Sequence, residues 1–179
     1  FAQLHDQYDI THLYFHDPQR INLLRVHQPA RYGDLITRST ALRAEQTQAL
    51  ASDTELGPLG TFSLRVVAPA FVDGRLVGYV ELREEIDNLI HGLKPLLGID
   101  YLILLQKSYL DQASWTQGMR MLDHQADWNL LPDMVHISGT LHPPPDVLVK
   151  NMPSLQRGET VRLKFGGKPY MAGWMPLHD

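Results

Sequence analysis

Cysteine is absent from this chain of 179 residues. That excludes a disulfide framework, thiolate zinc sites, c-type haem attachment and a cysteine nucleophile. It leaves the compartment open, although a thiol-free chain suits an oxidising one. A long apolar run is also missing. The greasiest stretch, "LIHGLKPLLGIDYLILL", is interrupted by His91, Lys94, Pro95 and Asp100, whereas a membrane-spanning helix needs about 20 mostly apolar residues. Nor is there an excess of basic charge. Lys plus Arg number 16 against 20 Asp plus Glu, for a formal net charge of -4. Nothing in that balance marks a nucleic-acid partner, which selects for a basic face.

Several chemical signatures are lacking too. His12 and His16 stand four apart, as zinc ligands on a helix would, but "THLYFHD" reads as strand and no HExxH accompanies it. "ELGPLG" is not a phosphate loop, because the GxxxxGK[ST] pattern is missing. Ser63 and Ser138 have no nucleophile-elbow context. The expectation is therefore no metal, no cofactor and no catalytic group. The chain starts at Phe1 and ends in what reads as a strand pair, so we read it as part of a longer protein.

What is present is an α+β pattern. The hydrophobic fraction of 44% suffices for a globular core. "THLYFHD" and "INLLRVHQ" predict two strands around a turn at Asp17-Pro18-Gln19-Arg20, with Asp17 accepting from its own backbone. Gly33-Asp34 predicts a turn and an N-cap, opening a helix over "LITRSTALRAEQTQAL" with Arg38 one turn in. "SLRVVAPAFV" and "RLVGYVELRE" flank Asp73-Gly74, the preferred pair for a type I′ hairpin. Pro69 marks a bulge or an edge position. A helix follows over "EEIDNLIHGLKPLLG", with Ile86, Leu89, Ile90 and Leu93 on one face.

The pattern then restarts. "YLILLQK" predicts a strand buried on both faces. Trp115, Met119, Met121 and Trp128 fit core packing better than an apolar site. "MVHISGTL" predicts a strand, "HPPPDVLVKNMP" a loop with a short helix, and "TVRLKF", Gly166-Gly167, "KPYMAGWMPL" a second hairpin. Two units follow from this, 1–97 and 98–179.

One set of residues carries a resemblance. Phe15-His16-Asp17-Pro18, Arg20, Asn22, Leu24-Arg25-Val26-His27, Pro29, Gly33-Asp34 and Arg38 resemble a motif of the double Cache sensor domains. "ELGPLGTFSLRVVAPAF" and "GRLVGYVELREEI" resemble the same subset. The match is specific over the first half and rests on general pattern in the second. It implies two tandem PAS-like units, antiparallel sheets flanked by helices. It implies an extracytoplasmic, periplasmic ligand sensor of a bacterial inner-membrane receptor, set between transmembrane helices and able to dimerise. The output would be a diguanylate cyclase, histidine kinase or chemotaxis module. The first unit would be membrane-distal and bind the ligand. The Arg, Trp and Tyr pattern with a later Asp that marks amino-acid-binding Cache domains is not found, which counts against an amino-acid ligand.

The candidate pocket follows from strand geometry. Residues two apart on a strand share a face, so Arg25, His27 and Leu23 point one way. An even turn places His12, Tyr14 and His16 on that face as well. Arg25 offers a planar fork for a carboxylate or phosphate. His27 donates to the same anion according to pH, and Tyr14 gives a neutral hydrogen bond and a flat wall. Arg38 and Arg65 can add to the set. The expected ligand-binding residues are Tyr14, Arg25, His27, Arg38 and Arg65, and the expected partner is a small anion such as a carboxylate. Two rivals stand beside this reading. One is a hydrolase or lyase fragment using Arg25, His27 and Asp34. The other is a protein-interaction module without a small ligand.

Overall fold

A computed structural model describes every residue except 58, 122, 142, 178 and 179, and the side chains of 91 and 93. Pro58 of the "ELGPLG" motif thus lies outside the described residues. The chain divides into two compact units, Phe1–Gly92 and Leu93–Asp179.

The first unit opens with helix α1 (Ala2–Tyr8), followed by strands β1 (His12–His16) and β2 (Asn22–Arg25). The turn between the strands is built as its residues dictate: Asp17 Oδ1 accepts from the backbone N–H groups of Gln19 at 2.9 Å and Ile21 at 2.8 Å. Helix α2 (Ser39–Thr47), β3 (Ala51–Leu56), β4 (Phe62–Val72), β5 (Arg75–Glu85) and α3 (Ile86–His91) complete the unit. The five strands form one antiparallel sheet in the order β2-β1-β5-β4-β3. Asp73 (φ 49) and Gly74 (φ 75) make the β4–β5 turn, the double positive φ that a type I′ hairpin needs. Strand β3 pairs β4 only from Phe62 to Val67, so Pro69 occupies an outer edge where no ladder donor is required.

Gly78 deserves its place in β5. Its φ is +151, and a Cβ built there would stand 2.1 Å from the His16 carbonyl oxygen of neighbouring β1. Only a residue without a side chain lets the two backbones approach that closely.

Directly paired residues share a sheet face. One face carries Arg25, Tyr14, Glu81, Val67 and Ala51 in a row, flanked by His12, Arg83 and Arg65 on one side and His16 and Tyr79 on the other. Helix α2 covers part of it, packing Ala41 and Ala44 with Ile36, Ala51, Val67 and Tyr79. The opposite face is the apolar one: Leu13, Leu64, Val66, Val80 and Leu82 are half-buried, and Phe15 and Leu24 are exposed. The covered side of this sheet is thus its charged side.

Three expectations are corrected. The helix does not begin at Asp34; α2 starts at Ser39 with Arg38 as its N-cap residue. Leu23 does not share the face of Arg25. A bulge skips it, pairing Phe15 with Leu24 and His16 with Asn22, and Leu23 lies 56% exposed. The third concerns "YLILLQK" and lies in the second unit.

That unit comprises α4 (Leu93–Leu97), β6 (Leu102–Gln106), a 3₁₀ turn at Lys107–Tyr109, α5 (Gln112–Met121), β7 (Met134–Gly139), α6 (Asp146–Gln156), β8 (Val161–Phe165) and β9 (Lys168–Ala172). β6 pairs β7 and β8 pairs β9, as two separate two-stranded sheets. Strand β6 is half-buried rather than covered on both faces, because its sheet has a single partner strand; β7 is the buried one. Trp115 and Met119 pack with Val135, Ile137 and Trp128, as core residues do, while Met121 is exposed. Gly166 (φ 53) and Gly167 (φ 76) turn the last hairpin. Among the described residues no helix is long and apolar enough to cross a membrane.

Candidate functional site

The site is the charged face of the first unit. Tyr14, buried at the middle of β1, is its centre. Arg25 lies opposite it on β2 and Glu81 opposite it on β5. The guanidinium carbons of Arg25 and Arg38 stand 5.4 Å and 5.2 Å from the centre of the Tyr14 ring, within cation–π range. The His27 ring lies 5.0 Å from Tyr14 and 4.1 Å from His12, both edge-on. Tyr14, Arg25, His27 and Arg38 are therefore brought together. Arg65, two strands away on β4, joins them through Glu81.

Glu81 is the hub. Both its oxygens accept from Arg38 at 2.7 Å, and Oε1 also accepts from Arg65 at 2.7 Å. His16 Nε2 lies 3.4 Å from Oε2. The Glu81 and His16 side chains are fully buried, that of Arg65 is 2% exposed and that of Arg38 is 26% exposed. Arg65 reaches a second carboxylate, with Nε 3.0 Å from Glu55 Oε2. Neither of those two atoms meets hydrogen-bond geometry, so the contact is an ion pair at that end. Burial pushes the Arg65 pKa down.

Glu55 and Asp34 have exchanged the roles that local sequence suggests. Glu55 caps α2 from β3: its Oε1 accepts from the Thr40 backbone N–H at 2.8 Å, from Ser39 Oγ at 2.7 Å and from Thr40 Oγ1. Burial would raise the Glu55 carboxyl, but those bonds and Arg65 hold it below its ordinary range. Asp34 instead accepts two parallel bonds from Arg25, at 2.7 Å and 2.6 Å. A bidentate guanidinium outbids a weak local cap for a carboxylate. The pairing holds Asp34 low and Arg25 high. Sequence reasoning missed Glu55 and Glu81, and it placed His16 on this face without its carboxylate partner. Period-two alternation on β5 puts Glu81, Arg83 and Glu85 on one face and was the available signal.

Three histidines on this face are held neutral. His16 is lowered to about 4 by burial, against the raising effect of Glu81, with Arg38 and Arg25 lowering it further. His12 falls to about 2 through burial, Arg83 and His27. His27 is lowered by burial and Arg25. Each is depressed below its unfolded value of about 6.5, so the unfolded chain binds these protons more tightly. Their contribution to stability is present above pH 6.5 and is lost as pH falls from 6.5 towards 4. The expected loss is on the order of 1 kcal/mol per pH unit for each of His12 and His16. Urea titrations at pH 7.5, 6 and 5 should show it, and His16→Gln should flatten the slope.

Several buried polar atoms on this face make no hydrogen bond: Arg38 Nε, Arg83 Nε, Asn22 Nδ2, His27 Nδ1, both His16 nitrogens and Ser63 Oγ. Hydrogen-bond donors predominate among them.

The chain matches, over residues 1–131, the family described as the double sensory domain of two-component sensor kinases. No curated protein sequence matches it. Distant likenesses exist among solved structures. The sensor domain of DcuS from Escherichia coli is 17% identical with a TM-score of 0.45, covering 52% of this chain and 68% of that one. An extracellular ligand-binding receptor from Desulfohalobium retbaense is 12% identical with a TM-score of 0.47, covering 99% and 30%. The ligand-binding domain of the amino-acid chemoreceptor PctC from Pseudomonas aeruginosa, solved with GABA, is 17% identical with a TM-score of 0.39, covering 77% and 70%. The chain thus spans under a third of the Desulfohalobium receptor.

Proposed function

The chain belongs to the double sensory domains of two-component sensor kinases, and we propose that its first unit binds a small anion at Tyr14, Arg25, His27, Arg38 and Arg65. The observation that supports this most is the set of buried donors without hydrogen bonds on the charged face that carries Tyr14. A buried donor left unmade costs about 1–3 kcal/mol. A structural core gains nothing from collecting several on one face, whereas an acceptor-rich ligand satisfies them together. A small carboxylate meets that description. Binding would favour one arrangement of sheet and α2 over another, and it would shift the receptor only by its differential affinity for the two. In the full-length protein the unit would sit outside the cytoplasmic membrane, passing that bias through flanking membrane helices to a kinase or related output, in a receptor able to act as a homodimer. The hydrolase alternative loses its geometry, because Asp34 spends both oxygens on Arg25 instead of orienting His27.

A thermal-shift panel of small carboxylates, amines, purines and sugars tests the reading. A ligand at a hundred times its Kd stabilises by about 2.7 kcal/mol, a rise of several degrees. Arg25→Ala is expected to abolish the shift while the protein stays folded, since the Asp34 side chain is 44% exposed and water can take over its solvation. A shift of undiminished size in that variant would place the ligand elsewhere.

A further inference from the structure

Arg25 is the side chain best shaped to clasp a carboxylate, and it already holds one. Its side chain is 5% exposed, and both of its terminal nitrogens point at Asp34. The same guanidinium donates to the Arg31 carbonyl at 2.8 Å. Asp34 approaches from outside: its side chain is 44% exposed, whereas the carboxylate of Glu81 has no exposure. The backbone of Asp34 is fixed independently of its side chain. Its carbonyl accepts from Asn22 N–H at 2.9 Å, Gly33 N–H donates to the Asn22 carbonyl at 2.7 Å, and Ile21 bridges Leu35. The carboxylate can therefore swing away while the segment stays anchored.

We infer that Asp34 is a tethered carboxylate that occupies the Arg25 fork until a free carboxylate ligand displaces it. This rests on the ligand site proposed above and adds its chemical class and its built-in competitor. Displacement exchanges one carboxylate for another, so the charge beside Arg25 is conserved and the desolvation of the guanidinium is not repeated. A tethered group competes at an effective concentration in the millimolar range or higher. A bare carboxylate does not overcome it, but a ligand that also reaches Arg38 and His27 does. The device therefore filters ligands by what they carry beyond the carboxylate.

Acetate is the probe. Melting temperatures of wild type, Asp34→Ala, and the double variant Arg25→Ala with Asp34→Ala are measured in sodium acetate against sodium chloride at equal ionic strength. Asp34→Ala is expected to lose stability in chloride and to regain it in acetate, with an acetate-specific shift about threefold or more above that of wild type. The double variant is expected to show none. Absence of the gain in Asp34→Ala, or its persistence in the double variant, would overturn the inference. The two readings separate cleanly. A panel compound that shifts wild type while Asp34→Ala ignores acetate leaves the ligand site standing without the tether. A silent panel beside a responsive Asp34→Ala keeps the tether and removes the ligand.

Discussion

Glu81→Ala is expected to destabilise the first unit by roughly 3–5 kcal/mol, the cost of removing one partner from a buried ion pair. The carboxylate serves Arg38, Arg65 and His16 at once, and it has no exposed surface. The two arginines do not suffer equally. Arg38 is 26% exposed and can turn towards water, whereas Arg65 is 2% exposed and keeps only Glu55. Most of the loss is therefore the stranded charge of Arg65. It follows that Arg65→Met combined with Glu81→Leu should cost markedly less than the sum of the single changes, since neither charge is then left alone. Urea unfolding of the two single variants and the double measures this. Additive losses would show that the ion pair contributes little beyond packing.

Gly78→Ala is expected to cost at least about 3 kcal/mol, although it adds one methyl group. Two effects combine. The φ of +151 is one that L side chains rarely adopt, and the new Cβ would lie 2.1 Å from the His16 carbonyl oxygen and 3.3 Å from its carbon. Those atoms are backbone of a paired strand and cannot rotate aside. Relief requires β1 to move off β5, which would disturb Tyr14 and His16 together. Circular dichroism melts give the stability, and the ligand panel on the surviving folded fraction should show weakened binding. Gly74→Ala makes a useful contrast: it has a positive φ but nothing within 4 Å of its Cβ, so its cost is backbone strain alone.

Much of this fold was legible before any coordinates. Asp73-Gly74 and Gly166-Gly167 each announce a two-residue turn, and the alternation on either side leaves one register. An even turn was the condition for Tyr14 and Arg25 to share a face; they do share one, but through a bulge between Phe15 and His16. What stayed hidden has a common cause. β3, "ASDTEL", has low strand propensity and is held by pairing with β4 and by Glu55 at the α2 terminus. The start of α2 moved because a distant carboxylate capped it and a nearby one was taken by Arg25. The bulge that exposes Leu23 is likewise a matter of pairing. Tertiary electrostatics settled these positions, and a local window carries no trace of them. The candidate residues were identified by type. Their engagement with Asp34 and Glu81 emerged only in three dimensions.

The strand order has a consequence for how the chain assembles. β1 finds its partner in β5, and Thr11 bonds the Arg83 carbonyl across 72 residues of sequence. The β1–β2 and β4–β5 hairpins can each form from neighbours, but they become one sheet only when β1 docks on β5. Closing so long a loop is the slow, entropically costly event. During synthesis the N-terminal segment must wait, hydrated, for the last strand of its own sheet to emerge. Glu81 reaches the Tyr14 side of the sheet only through that long-range docking, so the ionic groups around it leave solvent together when the two hairpins join.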